Sequence, residues 1–254
     1  MTTTAKPRLP VAEVFGPTLQ GEGALAGLKT MFVRFGYCDG AGDGWCKWCD
    51  SLFAVDPKNK AEWRFLTEEE IIAELEALQE RPRTAYRHVT LSGGNPALHQ
   101  LGDFVQMLGH AGYRVHVETQ GTVFRDWLCR CDSVTVSPKP PSAGECNIPR
   151  FLEFMEKLTD ARLRSGRLIL KIVVDPDNEQ DYEFARALAY RVEKLYSRRV
   201  ERYLSVVTIP SDTCDDLLMR YRRLADRVVA DPDFLDVSVL PQLHVLLWGH
   251  KRGV

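Results

Sequence analysis

The sequence has no excess of charge of either sign and no long apolar run. Its 254 residues contain 33 Lys and Arg against 35 Asp and Glu, a net charge of −2. A near-neutral balance without a long basic run argues against nucleic acid or an anionic membrane as the main partner, and favours a small ligand. No stretch approaches the roughly 18 consecutive apolar residues of a transmembrane helix, and the first residues lack the apolar core of a signal peptide. We therefore expect a soluble, cytoplasmic protein.

The sequence also lacks an even number of cysteines. Seven cysteines in a chain without an export signal argue against a complete disulfide framework. Three of them, Cys38, Cys46 and Cys49, lie close together in the sequence. In a reducing compartment such a cluster predicts metal or iron-sulfur ligation. The pattern predicts no role for the other four, Cys129, Cys131, Cys146 and Cys214.

Repeats, low-complexity segments and a convincing linker are absent too, so we expect a single domain over residues 1–254. From about residue 65, short β-branched runs alternate with stretches of helical periodicity. Predicted strands are 30–35, 88–91, 114–118, 133–136, 168–174, 203–207 and 237–240, and predicted helices are 71–78, which a Thr67–Glu70 capping box opens, about 98–109, 178–196 and 214–229. This alternation predicts a parallel α/β sheet or a full or partial barrel, with its site at the carboxyl ends of the strands.

The segment 36–51 combines the three clustered cysteines with four glycines between positions 36 and 44. These glycines allow the backbone to fold closely around a compact inorganic group. A structural zinc or an electron-transfer cluster usually has four ligands, whereas three cysteines on a four-iron cluster leave one iron open. The alternatives are free thiols in a flexible loop, or a zinc ion completed by Asp39, Asp50 or a distant His.

Two motifs resemble the radical S-adenosylmethionine (SAM) superfamily. The first is Cys38, Cys46 and Cys49 with Trp48 before the third cysteine, although seven residues separate Cys38 from Cys46 where the superfamily commonly has three. The second is Ser-Gly-Gly-Asn-Pro at 92–96, which resembles the superfamily's Gly-Gly-Glu-Pro motif. Asn95 replaces the acid there, so an acceptor oxygen is kept and a charge is lost.

Six further segments resemble the 7-carboxy-7-deazaguanine synthase (QueE) family, with its Bacillus-type branch nearest in pattern. They are 13–23, 30–34, 49–51, 117–122, 136–140 and 240–254, and they extend the similarity along nearly the whole chain. The resemblance implies a radical SAM domain built as a partial, incomplete TIM-like barrel of parallel strands with helices outside. It also implies a cluster loop at 36–51 and a C-terminal active-site tail at 240–254.

The activity that the resemblance implies is that of a carbon-nitrogen lyase. Such an enzyme converts 6-carboxy-5,6,7,8-tetrahydropterin to 7-carboxy-7-deazaguanine with loss of ammonia, on the way to queuosine and related deazapurines. Hydrogen abstraction at C6 by a 5′-deoxyadenosyl radical starts the ring contraction, SAM is reformed, and no side chain is needed as a general base. A reductant protein such as flavodoxin or ferredoxin and a homodimer are expected from the family alone.

The resemblance assigns cofactors and contacts to particular residues. It implies a 4Fe-4S cluster on Cys38, Cys46 and Cys49, SAM, and a Mg²⁺ ion with Ser51 as a ligand. The implied SAM contacts are Trp48, Gly94, Asn95, Glu118, Ser137, Pro138 and Lys139; those near 205–209 are not assigned. The implied substrate contacts are Leu19, Gln20, Gly21, Glu22, Arg34, Ser92, His244 and Val254.

Each assignment has a plainer alternative. Arg34 has the planar fork that suits a substrate carboxylate, but it could form an internal salt bridge. The loop 19–22 could be a polar turn, Ser51 a helix cap, Glu118 a structural acceptor and His244 a packed side chain. For the whole protein, the alternatives are another radical SAM protein, such as a glycyl-radical activating enzyme, and a zinc-binding module without catalysis.

Overall fold

The computed structural model describes residues 6–79, 87–144, 146–161, 166–196 and 199–254. Within these ranges the strands are β1 (Leu9–Leu19), β2 (Lys29–Phe35), β3 (Arg64–Leu66), β4 (His88–Gly93), β5 (Arg114–Thr119), β6 (Ser133–Val136), β7 (Arg167–Val174), β8 (Val200–Val206) and β9 (Val237–Leu240). The α-helices are α1 (Leu52–Val55), α2 (Glu68–Ala77), α3 (Gly102–His110), α4 (Ile148–Asp160), α5 (Glu179–Tyr196), α6 (Cys214–Ala230) and α7 (Leu243–Trp248).

All nine described strands form one sheet in the order β3-β1-β2-β4-β5-β6-β7-β8-β9. Parallel pairing runs from β2 through β4 to β9. In the described chain the two edge strands, β3 and β9, do not pair with each other, so the sheet stays open. The predicted partial barrel of parallel strands with intervening helices is therefore confirmed.

The edge formed by β1 and β3 is antiparallel, and the sequence patterns did not predict either strand. The strand β1 contains Pro10, Gly16 and Pro17, and its pairing with β2 shifts register twice. Prolines and register shifts interrupt the regular pairing of a strand, and they remove the alternation by which a strand is recognised. The last residue of β1, Leu19, leads directly into the predicted substrate loop at 19–22.

Helix boundaries follow local chemistry. The predicted capping box at α2 is present: the Thr67 hydroxyl accepts from the Glu70 backbone N–H, and the Glu70 carboxylate accepts from the Thr67 N–H. The helix predicted from about 98 begins at Gly102, because residues 96–98 form a separate 3₁₀ turn. The helix α4 was not predicted, although it buries Phe151, Phe154, Met155 and Leu158 at helical spacing.

The core lies between the parallel strands and the helices that cover them. Strand β7 is buried from Leu168 to Val174, as expected for a strand that is covered on both faces. Its one charged interior residue, Lys171, points into the cleft described below. Among the described residues, no helix combines the length and the apolar character that a membrane crossing requires.

Candidate active site

A cleft at the carboxyl ends of the parallel strands gathers almost all of the predicted site residues. Those that line it are Leu19, Gln20, Gly21, Glu22, Arg34, Cys38, Cys46, Trp48, Cys49, Ser51, Ser92, Gly94, Glu118, Ser137, Lys139, His244 and Val254. Asn95 and Pro138 are not among the lining residues. Segments far apart in the sequence therefore meet at the edge where α/β folds place their sites.

The three clustered cysteines open onto this cleft, and each is half-buried. Burial raises the pKa of the Cys38 thiol and raises that of Cys49 to about 12. Without a bound cation these two thiols are therefore protonated at neutral pH. Within the described ranges, no three His, Cys, Asp or Glu side chains meet at one metal-ion position. The three-cysteine ligation stays a prediction.

The cluster loop packs directly against the turn that follows β4. The Gly94 N–H donates to the Phe35 carbonyl (3.0 Å), and the Asn95 N–H donates to the Tyr37 carbonyl (2.8 Å). A Cβ at position 94 would lie 1.8 Å from the Tyr37 oxygen and 3.0 Å from the Cys38 nitrogen. Only glycine fits this approach, so Gly94 determines how closely the two segments pack.

The Asn95 side chain is fully buried, and its hydrogen bonds go to protein groups. Its amide nitrogen donates to Asp39 Oδ1 (2.8 Å) and to Thr122 Oγ1 (3.2 Å). Its oxygen accepts from the Thr119 hydroxyl (2.8 Å) and from the Ala97 N–H (3.2 Å). The predicted SAM contact at Asn95 is untested, but the side chain joins the cluster loop to the ends of β4 and β5.

Arg34 occupies both of the environments that the sequence left open. It lines the cleft, and its Nη1 donates to Ser51 Oγ at 2.7 Å. Its Nε also lies 3.3 Å from Glu13 Oε2, and its guanidinium lies over the rings of Phe15 and Phe53 at 5.5 and 5.4 Å. The salt bridge with Glu13 thus positions the Arg34 guanidinium, and the side chain still lines the cleft.

Ser51 has a buried hydroxyl group beside a carboxylate. Its hydroxyl donates to Asp50 Oδ1 at 2.9 Å and accepts from Arg34. Its side chain makes no capping hydrogen bond to α1. The residues predicted for the magnesium ion and for the substrate carboxylate are therefore hydrogen-bonded neighbours.

The predicted substrate residue Glu22 carries two partners that the sequence did not predict. Lys171 Nζ donates to Glu22 Oε2, and Gln242 Nε2 donates to Glu22 Oε1. Burial alone would raise the pKa of Glu22, but the positive charge of Lys171, the nearby imidazole of His244 and these hydrogen bonds hold it below its usual range. Burial would lower the pKa of Lys171, but Glu22 and Glu118 raise it above the usual value. The pair is therefore ionised.

Glu118 lines the same cleft and is hydrogen-bonded to the loop 19–22. Gln20 Nε2 donates to Glu118 Oε1 at 3.1 Å, and Gln20 Oε1 accepts from the Gly21 N–H at 2.8 Å. Burial raises the pKa of Glu118, and Lys171 opposes this rise. The structure thus places Glu118 at a strand end, as predicted, but facing the loop 19–22.

The C-terminal tail packs against the loop 19–22. The Leu243 N–H donates to the Gly21 carbonyl at 2.9 Å. A Cβ on Gly21 would lie 2.0 Å from His244 Nδ1, so glycine is needed at 21 for the histidine to reach the cleft. The predicted tail residues His244 and Val254 both line the cleft.

Arg252 anchors the end of this tail. Its Nη2 and Nε donate to Glu13 Oε1 at 2.7 and 3.0 Å, and its guanidinium carbon lies 3.4 Å from the centre of the Phe53 ring. Glu13 therefore pairs with Arg34 through one oxygen and with Arg252 through the other. The sequence patterns did not single out Arg252.

Several buried polar atoms near the cleft have no hydrogen-bond partner in the described part of the chain. Gln120 Nε2 and Oε1 and Thr208 Oγ1 belong to residues that line the cleft, whereas Ser205 Oγ, which is also unpaired, belongs to a residue outside the lining. Buried polar groups are normally paired, so the unpaired atoms of Gln120 and Thr208 mark positions that suit a polar ligand. Ser205 and Thr208 belong to the segment that the sequence left unassigned.

Lining residues that sequence reasoning missed include Gln120, Lys171, Thr208 and Gln242. A signal was present for Lys171, because a lysine inside a strand that is otherwise apolar is an uncommon buried charge. Gln242 lies beside a predicted contact but resembles any polar residue before a short helix. Its relevance depends on Glu22, which is 220 positions away in the sequence.

Comparison with known proteins gives near full-length relatives. No protein-family model matches the chain. The 7-carboxy-7-deazaguanine synthase of Bacillus subtilis (strain 168) is 43% identical over 253 residues, which cover 97% of this chain and 98% of the relative. The Bacillus cereus enzyme of the same name is 40% identical over 255 residues, with 97% and 99% covered. The Thermoplasma acidophilum enzyme is 30% identical over 251 residues, with 96% and 99% covered.

Solved structures support the same fold. The crystal structure of QueE from Escherichia coli matches with a TM-score of 0.61 and 23% identity, covering 93% of this chain and 95% of that chain. Streptococcus suis SuiB bound to S-adenosylmethionine matches with a TM-score of 0.50 and 11% identity, covering 85% of this chain and 50% of that chain. At these identities the likeness concerns the fold alone.

Proposed function

Because the chain belongs to the 7-carboxy-7-deazaguanine synthase family of radical SAM enzymes, we propose that its cleft converts 6-carboxy-5,6,7,8-tetrahydropterin to 7-carboxy-7-deazaguanine and ammonia. One observation carries the proposal. Residues from three of the segments that carry the family resemblance, 13–23, 36–51 and 240–254, line a single cleft. A loop for the heterocycle, a cysteine loop and a closing tail are thus adjacent, as this reaction requires.

The residues present fit a 4Fe-4S cluster and SAM. Cys38, Cys46 and Cys49 would hold the cluster. Trp48, Gly94, Glu118 and residues 137–139 would meet SAM, and the unpaired atoms of Gln120 and Thr208 add polar groups of the kind that its ribose and adenine need. When bound, these cofactors supply the one-electron chemistry that removes a hydrogen atom from the substrate.

The protein's own part is to orient the substrate and keep water out. Arg34 would bind the substrate carboxylate through its guanidinium donors. Gln20 and Glu22 would face the amide and amine groups along the edge of the pterin, where a charged acceptor pairs with N–H donors. The tail residues His244 and Val254 would cover the bound ring, and the contact of residue 243 with Gly21 supports this closed arrangement.

A magnesium ion would fit beside Ser51. Mg²⁺ prefers oxygen ligands and keeps several waters, so a hydroxyl with a neighbouring carboxylate is suitable. Asp50 supplies that carboxylate at 2.9 Å from Ser51 Oγ. The proposal also includes a single catalytic domain over residues 1–254, a reductant protein such as flavodoxin or ferredoxin, and a homodimer, all of which derive from the family resemblance.

An anaerobic product assay tests this function. We expect the reconstituted protein, given SAM, a reductant, Mg²⁺ and the carboxytetrahydropterin, to form 7-carboxy-7-deazaguanine. Cys46→Ala should lose both the product and the catalytic 4Fe-4S spin signal, whereas Cys129→Ala, at a half-buried cysteine outside the cleft, should keep both.

Two results would overturn the proposal. If the protein forms only 5′-deoxyadenosine, the substrate assignment is wrong. If the protein binds zinc without iron or sulfide and does not cleave SAM, the catalytic assignment is wrong as a whole.

A further inference from the structure

A buried lysine in the middle of β7 is not explained by the proposed reaction. Lys171 is flanked by Leu170 and Ile172 in a strand whose residues from 168 to 174 are all buried, and its side chain is only 7% exposed. Removing an ammonium group from water is strongly unfavourable when it has no partner. A lysine at this position therefore needs a specific counter-charge.

That counter-charge is the carboxylate of Glu22, which is held from two sides. Lys171 Nζ donates to one oxygen and Gln242 Nε2 donates to the other. Lys171 comes from the barrel wall and Gln242 from the C-terminal tail, so two distant parts of the chain fix one side chain. The Glu22 side chain is itself 14% exposed, at the floor of the cleft.

A second carboxylate, that of Glu118, adds to the negative charge that Lys171 balances. Glu118 is close enough to Glu22 and Lys171 that the charge of Glu22 raises its pKa and the charge of Lys171 lowers it. Two carboxylates in a poorly hydrated cleft repel each other, and one of them would take up a proton or turn away if no cation lay beside them. Lys171 is the cation bonded to Glu22, and it keeps that carboxylate charged and in place.

We propose that Lys171 is a positioning residue for the substrate: it fixes the carboxylate of Glu22 at the orientation in which the loop 19–22 presents it to the N–H groups of a planar heterocycle. This inference rests on the proposed function, in which Glu22 reads the pterin edge. Lys171 acts through Glu22, and its removal therefore weakens substrate binding more than the chemical step.

Steady-state kinetics test the proposal. For Lys171→Met we expect KM for the carboxytetrahydropterin to rise about tenfold and kcat to fall less than about threefold. Lys171→Arg should recover part of the loss because it restores a donor and a charge. The matched control is Lys157→Met, which removes the exposed pair of Lys157 and Glu153 on α4 and should leave both constants unchanged.

A double-variant cycle separates action through Glu22 from an independent effect. Glu22→Gln alone should raise KM, and Glu22→Gln combined with Lys171→Met should raise it no further, because the lysine then has no charge to position. In the cofactor-free protein, Lys171→Met should lower Tm by about 10 °C, since it leaves a buried carboxylate unpaired. The double variant should regain most of that loss.

The outcomes are distinguishable. If the KM effects of the two substitutions add, or if Lys171→Met leaves KM unchanged, Lys171 does not act through Glu22 and the inference is wrong. If the parent protein forms no deazaguanine product, the proposed function fails, while the Tm cycle still decides whether the two residues are coupled. If Lys171→Met does not fold, the KM values of Glu22→Gln and the double variant are compared instead. Equal values support the inference, and a higher KM in the double variant contradicts it.

Discussion

At position 95 an amide occupies the place of the superfamily's acid, and its neighbour at position 39 supplies a physical reason. Asn95 Nδ2 donates to Asp39 Oδ1 at 2.8 Å, so the carboxylate is already present on the cluster loop. An acid at 95 would face it and bring two negative charges together, with the one at position 95 fully buried. The superfamily motif has its negative charge in the turn after β4, whereas this chain has one on the loop that holds the cysteines.

Exchanging these two residues tests that interpretation. We expect Asn95→Asp to lower Tm of the cofactor-free protein by about 5 °C, because two carboxylates then meet. The combined Asp39→Asn and Asn95→Asp variant restores one donor and one acceptor, and should recover most of the loss and the iron content after reconstitution. Thermal unfolding and iron analysis of the three proteins, the parent, Asn95→Asp and the exchanged variant, are the measurements, and equal Tm values for Asn95→Asp and the exchanged variant would contradict the idea.

Individual site residues were predictable where a motif is local, and less so where a contact is made in three dimensions. Cys38, Cys46, Cys49 and Gly94 follow from spacing and from the resemblance, and they meet in the cleft. Gln242 has no local signature, because its role depends on Glu22 at the other end of the chain. A sequence pattern reports what a residue can donate or accept, but not which distant partner it meets.

At the scale of elements, periodicity predicted the strands from β4 to β9 because each is a short β-branched run between turns. It missed β1 and β3, since prolines and register shifts remove the alternation in β1 and a strand of three residues is too short for a period. These antiparallel strands help to build the cleft, because β1 carries Glu13, which pairs with Arg34, and leads into the loop 19–22 that lines the cleft. The irregular element is thus the one that leads into the predicted substrate contacts.

The tail is an element whose position depends on a few polar contacts, and Arg252 provides the last of them. For Arg252→Met we expect kcat/KM for the pterin to fall about three- to tenfold, because the pairing with Glu13 and the stacking on Phe53 are lost. The iron content should stay that of the parent, since Arg252 does not contact the cluster loop's cysteines.

The neighbouring exposed lysine provides the control. Lys251→Met changes the charge of the tail equally and should behave as the parent. Limited proteolysis of the cofactor-free protein adds a readout that is independent of activity, and the tail should be cleaved faster in Arg252→Met. Equal cleavage in the two variants would show that Arg252 does not hold the tail.

Over the whole molecule, the two ends of the sheet carry different chemistry. The carboxyl ends hold the cleft, while the amino ends of β4, β5 and β6 hold a polar cluster of His88, His116 and Ser133. His88 Nδ1 lies 2.8 Å from His116 Nε2, and His116 Nδ1 lies 2.7 Å from Ser133 Oγ. The two imidazole rings stack with an angle of 13° between their planes. This end is remote from the proposed reaction, so its effect should be on stability.

Acid should weaken the fold through His116. Burial, His88 and Arg114 lower its pKa to about 4, against the opposing charge of Asp132. In the unfolded chain the imidazole takes up its proton near pH 6.5, and in the folded protein only near pH 4. The free energy of unfolding should therefore fall as the pH drops from about 6.5 to about 4, by roughly 2–3 kcal/mol from this residue. In the His116→Gln variant, the free energy of unfolding measured in urea should depend less steeply on pH between 6.5 and 4. The difference in this free energy between the parent and the variant should therefore become smaller toward pH 4. The exposed His110→Gln variant should follow the parent, and parallel curves for the parent and His116→Gln would show that His116 does not set the acid limit.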